Sequence, residues 1–359
     1  MTGTPVAATS RPDGTASADP LLVVESLTTT FGIDGSEFRA VDGVSFELQR
    51  GATLGIVGES GSGKSVLTRS ILGLLRRQRA QVTGSARFEG RDLISAPEKE
   101  LRGIRGAGIG IIFQDPMTAL NPVMKVGKQV AEVLTVHKGM NRAEANRRAV
   151  ELLDEVHIPS ARTRAGQYPH ELSGGMRQRV AIAAAIACRP RLLIADEATT
   201  ALDVTIQAEI LDLLDELRRD LHMSMLLISH DLGVVMGRCD HVAVMYAGRI
   251  VELGRTTDVL VHPMMPYTRG LLDAIPKVDD PAHTRLAVIP GQISPAHVRA
   301  PGCSFESRCA LADDQCRAAA PELQPAGAER SYACWHPAGA DGGTVPVDER
   351  IESTLGQAR

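Results

Sequence analysis

The sequence has few aromatic residues, little net charge and no long apolar run. Aromatic residues make up 3% of its 359 residues, so the core must be built mainly from aliphatic side chains. Lys and Arg number 39 and Asp and Glu number 43, which gives a net charge of −4. Such a mildly acidic chain lacks the basic face that general nucleic-acid binding requires, so we expect no nucleic-acid partner. No apolar run approaches the ~20 residues of a transmembrane helix.

Both ends of the chain lack the patterns of folded segments. Residues 1–20 contain small residues, Pro and Gly, without the apolar core of a signal peptide. We therefore expect a cytosolic protein with disordered tails at 1–20 and 338–359. Its six cysteines are not expected to form structural disulfides in that compartment.

Between the tails, the pattern predicts a large α/β domain and a smaller module. Short apolar strands alternate with amphipathic helices over 21–265, which indicates a layered α/β architecture. Over 266–337, Pro and Cys become frequent and the periodicity fades, which favours a separate small module. The strands are predicted at Leu21–Val24, Val44–Leu48, Thr53–Val57, Leu192–Ala195, Met225–Ile228, Val242–Tyr246 and Arg249–Glu252, and the helices at Lys64–Leu75, 140–156 and Ile206–Leu221.

The strongest motif follows the strand predicted at Thr53–Val57 and opens a helix. It fits G-x-x-x-x-G-K-[ST], and the flanking strand and helix favour a phosphate-binding P-loop over a simple glycine-rich turn. Glycines let backbone N–H groups surround phosphate oxygens, and the helix N-terminus adds positive potential. Lys64 would reach the β- and γ-phosphates, and Ser65 would offer a hydroxyl to Mg²⁺. The predicted phosphate-binding residues are Gly58, Ser60, Gly61, Ser62, Gly63, Lys64 and Ser65.

A second motif places two carboxylates at the end of the apolar run Leu192–Ala195. Asp196 would lie near the phosphates and hold Mg²⁺ through water. Glu197 stands where it could polarise an attacking water as a general base. Two acids that merely cap the next segment are the simpler alternative, but the upstream P-loop favours the catalytic interpretation. Together the two motifs indicate a P-loop NTPase.

A third motif, Ser173-Gly174-Gly175, opens an apolar helix. Free N–H groups at such a start form a second candidate anion site. A capping turn explains these residues equally well when they are considered alone.

The run LSGGMRQR, followed closely by LLIADE, resembles the ATP-binding-cassette ATPases over residues 21–265. The resemblance implies a P-loop NTPase core with an antiparallel β subdomain and a helical subdomain, and it implies ATP and Mg²⁺ as ligands. It implies that Gln114, in Phe113-Gln114-Asp115-Pro116, touches Mg²⁺ and senses a membrane partner. It also implies that His230 contacts the γ-phosphate and that Asp203 belongs to the D-loop.

The adenine-stacking aromatic and the partner domain also follow from this resemblance. Phe31 matches the aromatic that stacks on adenine, and Phe38 competes for that role. Two such domains would pair head to tail, with each ATP between the P-loop of one and Ser173, Gly174 and Gly175 of the other.

The C-terminal module has its own signature. The pattern GC-x-F-x-x-RC from Gly302, with two further cysteines downstream, resembles the C-terminal extension of oligopeptide/dipeptide importer ATPases. The chain departs from the usual pattern at Ala119, Ala198 and Ala310, none of which removes a reacting group. The candidate metal ligands are Cys303, Cys309, Cys316 and Cys334.

The spacing of these cysteines does not select a metal. Gaps of five, six and seventeen residues lack the paired C-x-x-C knuckles of many zinc sites and the ferredoxin spacing. The family resemblance implies a [4Fe-4S] cluster, with zinc or free or oxidised thiols as alternatives. Cys188 and Cys239 lie in apolar segments and are interpreted as small buried hydrophobes.

The resemblance predicts an ATPase that energises a peptide importer at the cytoplasmic face of the membrane. Its expected partners are two transmembrane permeases, a second and different ATPase, and an extracellular substrate-binding protein. A soluble non-transport cassette ATPase is disfavoured because the chain has one P-loop, one LSGGM run and no heptad repeat. A non-hydrolysing regulatory subunit is disfavoured because Glu197 and His230 are present. Nickel or another peptide-like cargo remains open.

Overall fold

A computed structural model describes residues 19–33, 36–75, 80–114, 119–198, 203–275, 288–292 and 301–338. The tails predicted at 1–20 and 338–359 lie almost wholly outside these ranges. The described ranges also exclude Asp115 and Pro116 of the Gln114 motif and the two residues that precede Asp203.

The first sheet is antiparallel and contains four strands in the order β2-β1-β4-β5. The sequence predicted shorter first strands with a loop that begins at Gly32. Instead, β1 and β2 pair from Leu22 opposite Leu48 to Ile33 opposite Ser36, which sets Phe31 opposite Phe38. The strands are β1 (Leu22–Ile33), β2 (Ser36–Leu48), β4 (Ala80–Phe88) and β5 (Arg91–Asp92).

The second sheet contains eight strands in the order β11-β12-β10-β9-β3-β8-β7-β6. The five strands from β9 to β6 are parallel, and all but β6 carry apolar runs that the sequence predicted as strands. The strands are β3 (Thr53–Val57), β6 (Ile109–Ile112), β7 (Leu192–Asp196), β8 (Ser224–Ser229), β9 (His241–Tyr246), β10 (Arg249–Arg255), β11 (Gln324–Pro325) and β12 (Ser331–Tyr332).

Helices connect the strands of this sheet, and four of them follow one another along the chain between β6 and β7. The first helix ends at Ile71 rather than at Leu75, and Gly73 follows with a φ of 64°. The helices are α1 (Lys64–Ile71), α2 (Glu98–Ile104), α3 (Val126–Lys138), α4 (Arg142–Glu155), α5 (Ala161–Arg164), α6 (Gly174–Ile186), α7 (Val204–Asp220), α8 (Leu232–Val235), α9 (Thr256–Val261), α10 (Pro266–Asp273) and α11 (Asp314–Ala318).

The C-terminal module is attached to the large domain by a strand and by its core. β12 pairs with β10, so the module extends the central sheet. Phe305 is buried and packs against Tyr246 and Tyr267 with ring centroids 5.3 Å away from each. These contacts bring part of the C-terminal module beside the carboxyl end of β9.

Candidate nucleotide site

A cleft of about 930 Å³ opens at the carboxyl ends of the parallel strands. β3 lies between β8 and β9, and the loops that leave β3, β7 and β8 meet at this edge. Ligands of open α/β sheets bind at this edge because the strand-to-helix loops converge there. The cleft is lined by Phe38, Ala40, Glu59, Ser60, Gly61, Gly63, Lys64, Ser65, Val66, Gln114, Glu197, His230, Ala247, Gly248, Gly291 and Gln292.

The P-loop is shaped by two glycines that approach other backbone closely. Gly63 precedes α1 with a φ of 104°, and a Cβ there would lie 2.3 Å from the Ala40 carbonyl oxygen. Gly58 has a φ of 154°, and a Cβ there would lie 2.1 Å from the Met245 carbonyl oxygen. Only glycine fits both positions, which leaves the turn open for phosphate oxygens. Ser62 is buried, and its carbonyl oxygen accepts a hydrogen bond from Gly248 at 2.8 Å.

Lys64 lies folded against the P-loop. Its Nζ donates to the carbonyl oxygens of Gly58 and Glu59 at 2.6 and 2.9 Å. The side chain is almost fully buried, and this burial lowers the pKa of Lys64. Glu197, with a carboxylate oxygen 3.9 Å from Nζ, opposes that shift. The ammonium group is therefore desolvated at the point where phosphates would arrive.

Ser65 and Asp196 form the part of the cleft that is suited to a divalent cation. Ser65 Oγ donates to Asp196 Oδ1 at 3.0 Å, and Thr68 donates to the other carboxylate oxygen at 3.4 Å. Burial raises the pKa of Asp196. A hydroxyl and a carboxylate are oxygen ligands of the kind Mg²⁺ prefers, so these residues fit that ion.

Glu197 lies where three other predicted residues meet. Gln114 Nε2 donates to its carboxylate at 2.8 Å, and His230 Nδ1 lies 3.6 Å from the same oxygen. Its backbone adopts the left-handed conformation, with a φ of 47°. Non-glycine residues rarely adopt this conformation, and such strain clusters at functional sites. The carboxylate is thus held between Lys64, Gln114 and His230.

The aromatic wall of the cleft is formed by Phe38. Phe31 does not line the cleft within the described structure, and it packs beside Phe38 with ring centroids 6.2 Å apart. The two residues are neighbours across the β1–β2 ladder, which is why sequence alone left both in competition.

The Ser-Gly-Gly segment and Asp203 do not line this cleft in the part of the chain that the structure describes. Ser173 caps α6 by accepting a hydrogen bond from the Met176 N–H at 3.3 Å. Asp203 caps α7 by accepting one from Ile206 at 3.0 Å. Gly174 and Gly175 form the first turn of α6. The capping interpretation of Ser173 is therefore correct for the isolated chain, while its anion-binding role is untested.

Sequence reasoning missed the contacts between the C-terminal module and the P-loop. Arg308 donates to both carboxylate oxygens of Glu59, at 2.7 and 3.0 Å. The Glu59 N–H donates to the Tyr267 hydroxyl at 2.9 Å. Gly291 and Gln292 also line the cleft. The only signal in the sequence was the arginine of the GC-x-F-x-x-RC pattern.

The four downstream cysteines converge within the module. Burial raises the pKa of Cys303, Cys316 and, to about 11, Cys334, and the neighbouring thiols act in the same direction. Backbone N–H groups of Leu311 and His336 donate to the sulfurs of Cys309 and Cys334 at 3.4 and 3.3 Å.

A second arrangement of candidate metal ligands shares one of these thiols. The ligand atoms of Asp313, Cys316 and His336 all lie within 4.8 Å of one another. Among the described residues, the four thiols do not form a group with such close spacing. Among the described residues, the group with this close spacing is therefore Asp313, Cys316 and His336, and the four-cysteine ligand set stays a prediction.

None of the described helices has the length and apolar character that would be needed to cross a bilayer.

The glycine loop before α1, the carboxylates after β7 and the histidine after β8 define a P-loop ATPase of the ATP-binding-cassette type. The dimeric cassette MJ0796, bound to ADP and Pi, matches with a TM-score of 0.59 and 27% identity over 66% of this chain and 98% of that one. The ABC transporter model matches residues 41–200, and the oligopeptide/dipeptide transporter C-terminal model matches residues 251–316.

Two relatives indicate which group of these ATPases the chain resembles. The oligopeptide transport ATP-binding protein OppD of Salmonella typhimurium is 50% identical over 89% of this chain and 95% of its own length. OppD of Escherichia coli is 50% identical over 89% of this chain and 94% of its own length. The chain belongs to the ABC transporter family, in the branch of oligopeptide and dipeptide transport ATP-binding proteins.

Proposed function

We propose that this protein is the ATP-binding and ATP-hydrolysing subunit of a membrane importer for peptides. The observation that carries the proposal is the single cleft in which Lys64, Glu197, Gln114 and His230 meet. The 50% identity to OppD supports peptides as the cargo. We extend the proposal to a location at the cytoplasmic face of the membrane, beside two permease subunits and an extracellular substrate-binding protein.

Each of the residues in the cleft would have its own role in ATP hydrolysis. Ser65 and Asp196 would hold Mg²⁺, which neutralises charge on the β- and γ-phosphates when it is bound. Glu197 would accept a proton from the attacking water while the oxygen of that water bonds to the γ-phosphorus. The bond from that phosphorus to the bridging oxygen then breaks, and ADP leaves. Lys64 would turn from the Gly58 and Glu59 carbonyls towards the phosphates, and His230 would contact the γ-phosphate.

A second ATPase would complete the site. The cleft contains no residue of the Ser173-Gly174-Gly175 segment among the described residues, and the segment begins a helix with free N–H groups. A partner's copy of this segment would close over ATP, with Asp203 near the same interface. The dimeric MJ0796 cassette supports pairing, and we propose a different sister ATPase as the partner.

Reconstitution tests this function. Vesicles that contain this chain, the permeases and the sister ATPase should hydrolyse ATP faster when a tripeptide-loaded binding protein is outside. Lys64→Ala should abolish nucleotide binding and stimulation together. Stimulation by a nickel chelate but not by peptide would assign another cargo. ATP binding that is unchanged in Lys64→Ala would overturn the assignment of the cleft.

We further propose that Cys303, Cys309, Cys316 and Cys334 hold a [4Fe-4S] cluster. Tetrahedral zinc with Zn–S bonds of ~2.3 Å would need sulfurs roughly 4 Å apart. Among the described residues, the four sulfurs do not form a group within 4.8 Å of one another, and this favours a larger centre. N–H donors at two sulfurs are typical of cluster ligands. The cluster would fasten a module that has little regular structure of its own.

Metal analysis of anaerobically purified protein tests the cluster. Iron and sulfide at about four per chain, with broad absorbance near ~400 nm, would support it. Zinc that is lost in His336→Ala would assign the metal to Asp313, Cys316 and His336 instead. A protein without metal would leave free thiols and overturn the proposal.

A further inference from the structure

The side chain of Arg308 spans the boundary between the C-terminal module and the nucleotide cleft. Its side chain is 3% exposed, whereas that of Glu59 is 31% exposed. The guanidinium makes a two-pronged ion pair with Glu59 and lies near the Tyr246 hydroxyl at 3.4 Å. Its other donors reach the carbonyl oxygens of Ile289 and Pro290 at 3.3 and 2.8 Å. Arg308 therefore contacts the two segments that form one wall of the cleft.

Glu59 also contacts Lys64, the predicted phosphate-binding lysine. Its carboxylate is held by Arg308 and its N–H by Tyr267, while its carbonyl oxygen accepts from Lys64. These three contacts hold the side chain of Glu59 and the two peptide groups that flank it in the P-loop. A change at the carboxylate would therefore shift the carbonyl on which Lys64 rests.

Arg308 is also tied to the cysteines. It lies in a 3₁₀ turn over Glu306–Arg308, directly before Cys309. The Glu306 N–H donates to the Cys303 carbonyl at 3.0 Å, and the Cys309 N–H donates to Glu306 at 3.1 Å. This single turn links two thiol-bearing residues to the arginine, so a displacement of either thiol moves its backbone.

We propose that Arg308 is a positioning residue through which the four-cysteine module sets the nucleotide affinity of the P-loop. An intact module holds Glu59 and the 288–292 segment in the geometry that receives ATP. A disordered module releases Glu59, and affinity falls. The inference rests on the proposed nucleotide cleft, and it adds that the module acts on ATP binding and not only on stability.

A second ion pair between the same two parts of the chain provides the matched control. Arg330 contacts Glu252 at 2.8 Å, and their side chains are 14% and 0% exposed. Both residues lie outside the cleft lining. Loss of this pair should loosen the attachment of the module without touching the P-loop. The Arg330 variant therefore separates a general loss of stability from the positioning of Glu59 by Arg308.

The experiment measures binding of a fluorescent ATP analogue by the full chain. Arg308→Met should weaken binding about tenfold, a coupling within the range of contacting residues. Arg308→Lys should recover part of that loss, because it restores charge but not the two-pronged geometry. Glu59→Gln should weaken binding similarly, and the double variant should be no worse than either single variant. Arg330→Met should lower the melting temperature and leave binding unchanged.

Turnover and metal removal provide two further readouts. Arg308→Met should raise the KM for ATP while kcat stays within about twofold, because Glu197 and His230 lie on other loops. Removal of the metal proposed for the module, followed by transfer to a chelator-free buffer with Mg²⁺, should weaken binding in the wild type but not in Arg308→Met. Equal losses in Arg308→Met and Arg330→Met, or additive losses in the double variant, would overturn the inference. Absence of ATP binding by the wild type would instead overturn the proposed function.

Discussion

The nucleotide cleft and the C-terminal module are ordered by different forces. The cleft stands on β3, β7 and β8, whose residues are buried over their whole length. Among its described residues, the module has one eight-residue helix, α10, and otherwise only short elements: Glu306–Arg308, α11 and the two-residue strands β11 and β12. It is joined to the large domain by the short pairing of β12 with β10, by the buried aromatic Phe305 and by ion pairs. Catalysis is thus built on rigid backbone, while attachment of the module depends on a few side chains.

This contrast predicts different responses to substitution. A change in the cleft should alter chemistry with little effect on folding, because the sheet beneath it does not depend on the functional side chains. A change in the module should alter metal content and stability first, with nucleotide binding following through Arg308.

Glu197→Gln should give the largest effect in the cleft. The amide retains the shape and the contact with Gln114 but cannot accept the proton of the attacking water. We expect kcat to fall on the order of 10²- to 10⁴-fold. ATP should still bind, and an ATP-bound dimer should accumulate in gel filtration. Turnover near the wild-type rate would contradict the assignment of the base.

Cys303→Ser tests the C-terminal module, the second region of this comparison. We expect loss of iron and a melting temperature lower by roughly 5 °C or more, because the module loses its fastening. Cys188→Ser is the matched control, since Cys188 is buried in the main core. It should lower stability but keep the iron. Unchanged iron in Cys303→Ser would remove that residue from the ligand set.

The cleft was predictable because its motifs are local. The P-loop reads as eight consecutive residues, and the carboxylates directly follow an apolar strand. In the structure, Gln114, Glu197 and His230 meet because they follow the neighbouring parallel strands β6, β7 and β8, although neither β6 nor the strand order was predicted. The contacts to the module were not predictable, since Arg308 is 249 positions from Glu59 and Tyr267 is 208 positions away.

Smaller errors have equally local causes. The helix from Lys64 was predicted to continue to Leu75 because apolar spacing continues, but backbone at Gly73 leaves the helical conformation. The β1–β2 ladder is longer than predicted, and its extra pairs set Phe38 beside Phe31. Apolar periodicity therefore located these elements, whereas glycine conformation and strand pairing decided their ends.

The choice between Phe38 and Phe31 gives an intermediate effect in the cleft. Phe38→Ala should raise the KM for ATP about tenfold, the scale of one lost base–aromatic stacking contact. Phe31→Ala should change it less, because Phe31 lies behind Phe38 and does not line the cleft. Steady-state kinetics with ATP measure both. The reverse order would restore Phe31 as the adenine-stacking residue.

Asp196→Asn should give the smallest change in stability, and its effects on folding and on Mg²⁺ binding should have opposite signs. Burial raises the pKa of Asp196 above its ordinary 3.8, so the folded state binds the proton more tightly than the unfolded state. Stability therefore falls as the pH rises through this window, and the full cost of the buried charge is present above the folded-state pKa.

The asparagine variant removes that cost. Without nucleotide, we expect its free energy of unfolding at pH 7 to exceed that of the wild type by about 1 kcal/mol. The advantage should disappear in urea titrations below pH ~3.8, where the aspartate is protonated in both states. ATP with Mg²⁺ should stabilise the wild type and not the variant. A variant that is less stable than the wild type at pH 7 would mean that the hydrogen bonds from Ser65 and Thr68 outweigh the burial of the charge, so that the cleft, like the module, depends on its side chains for stability.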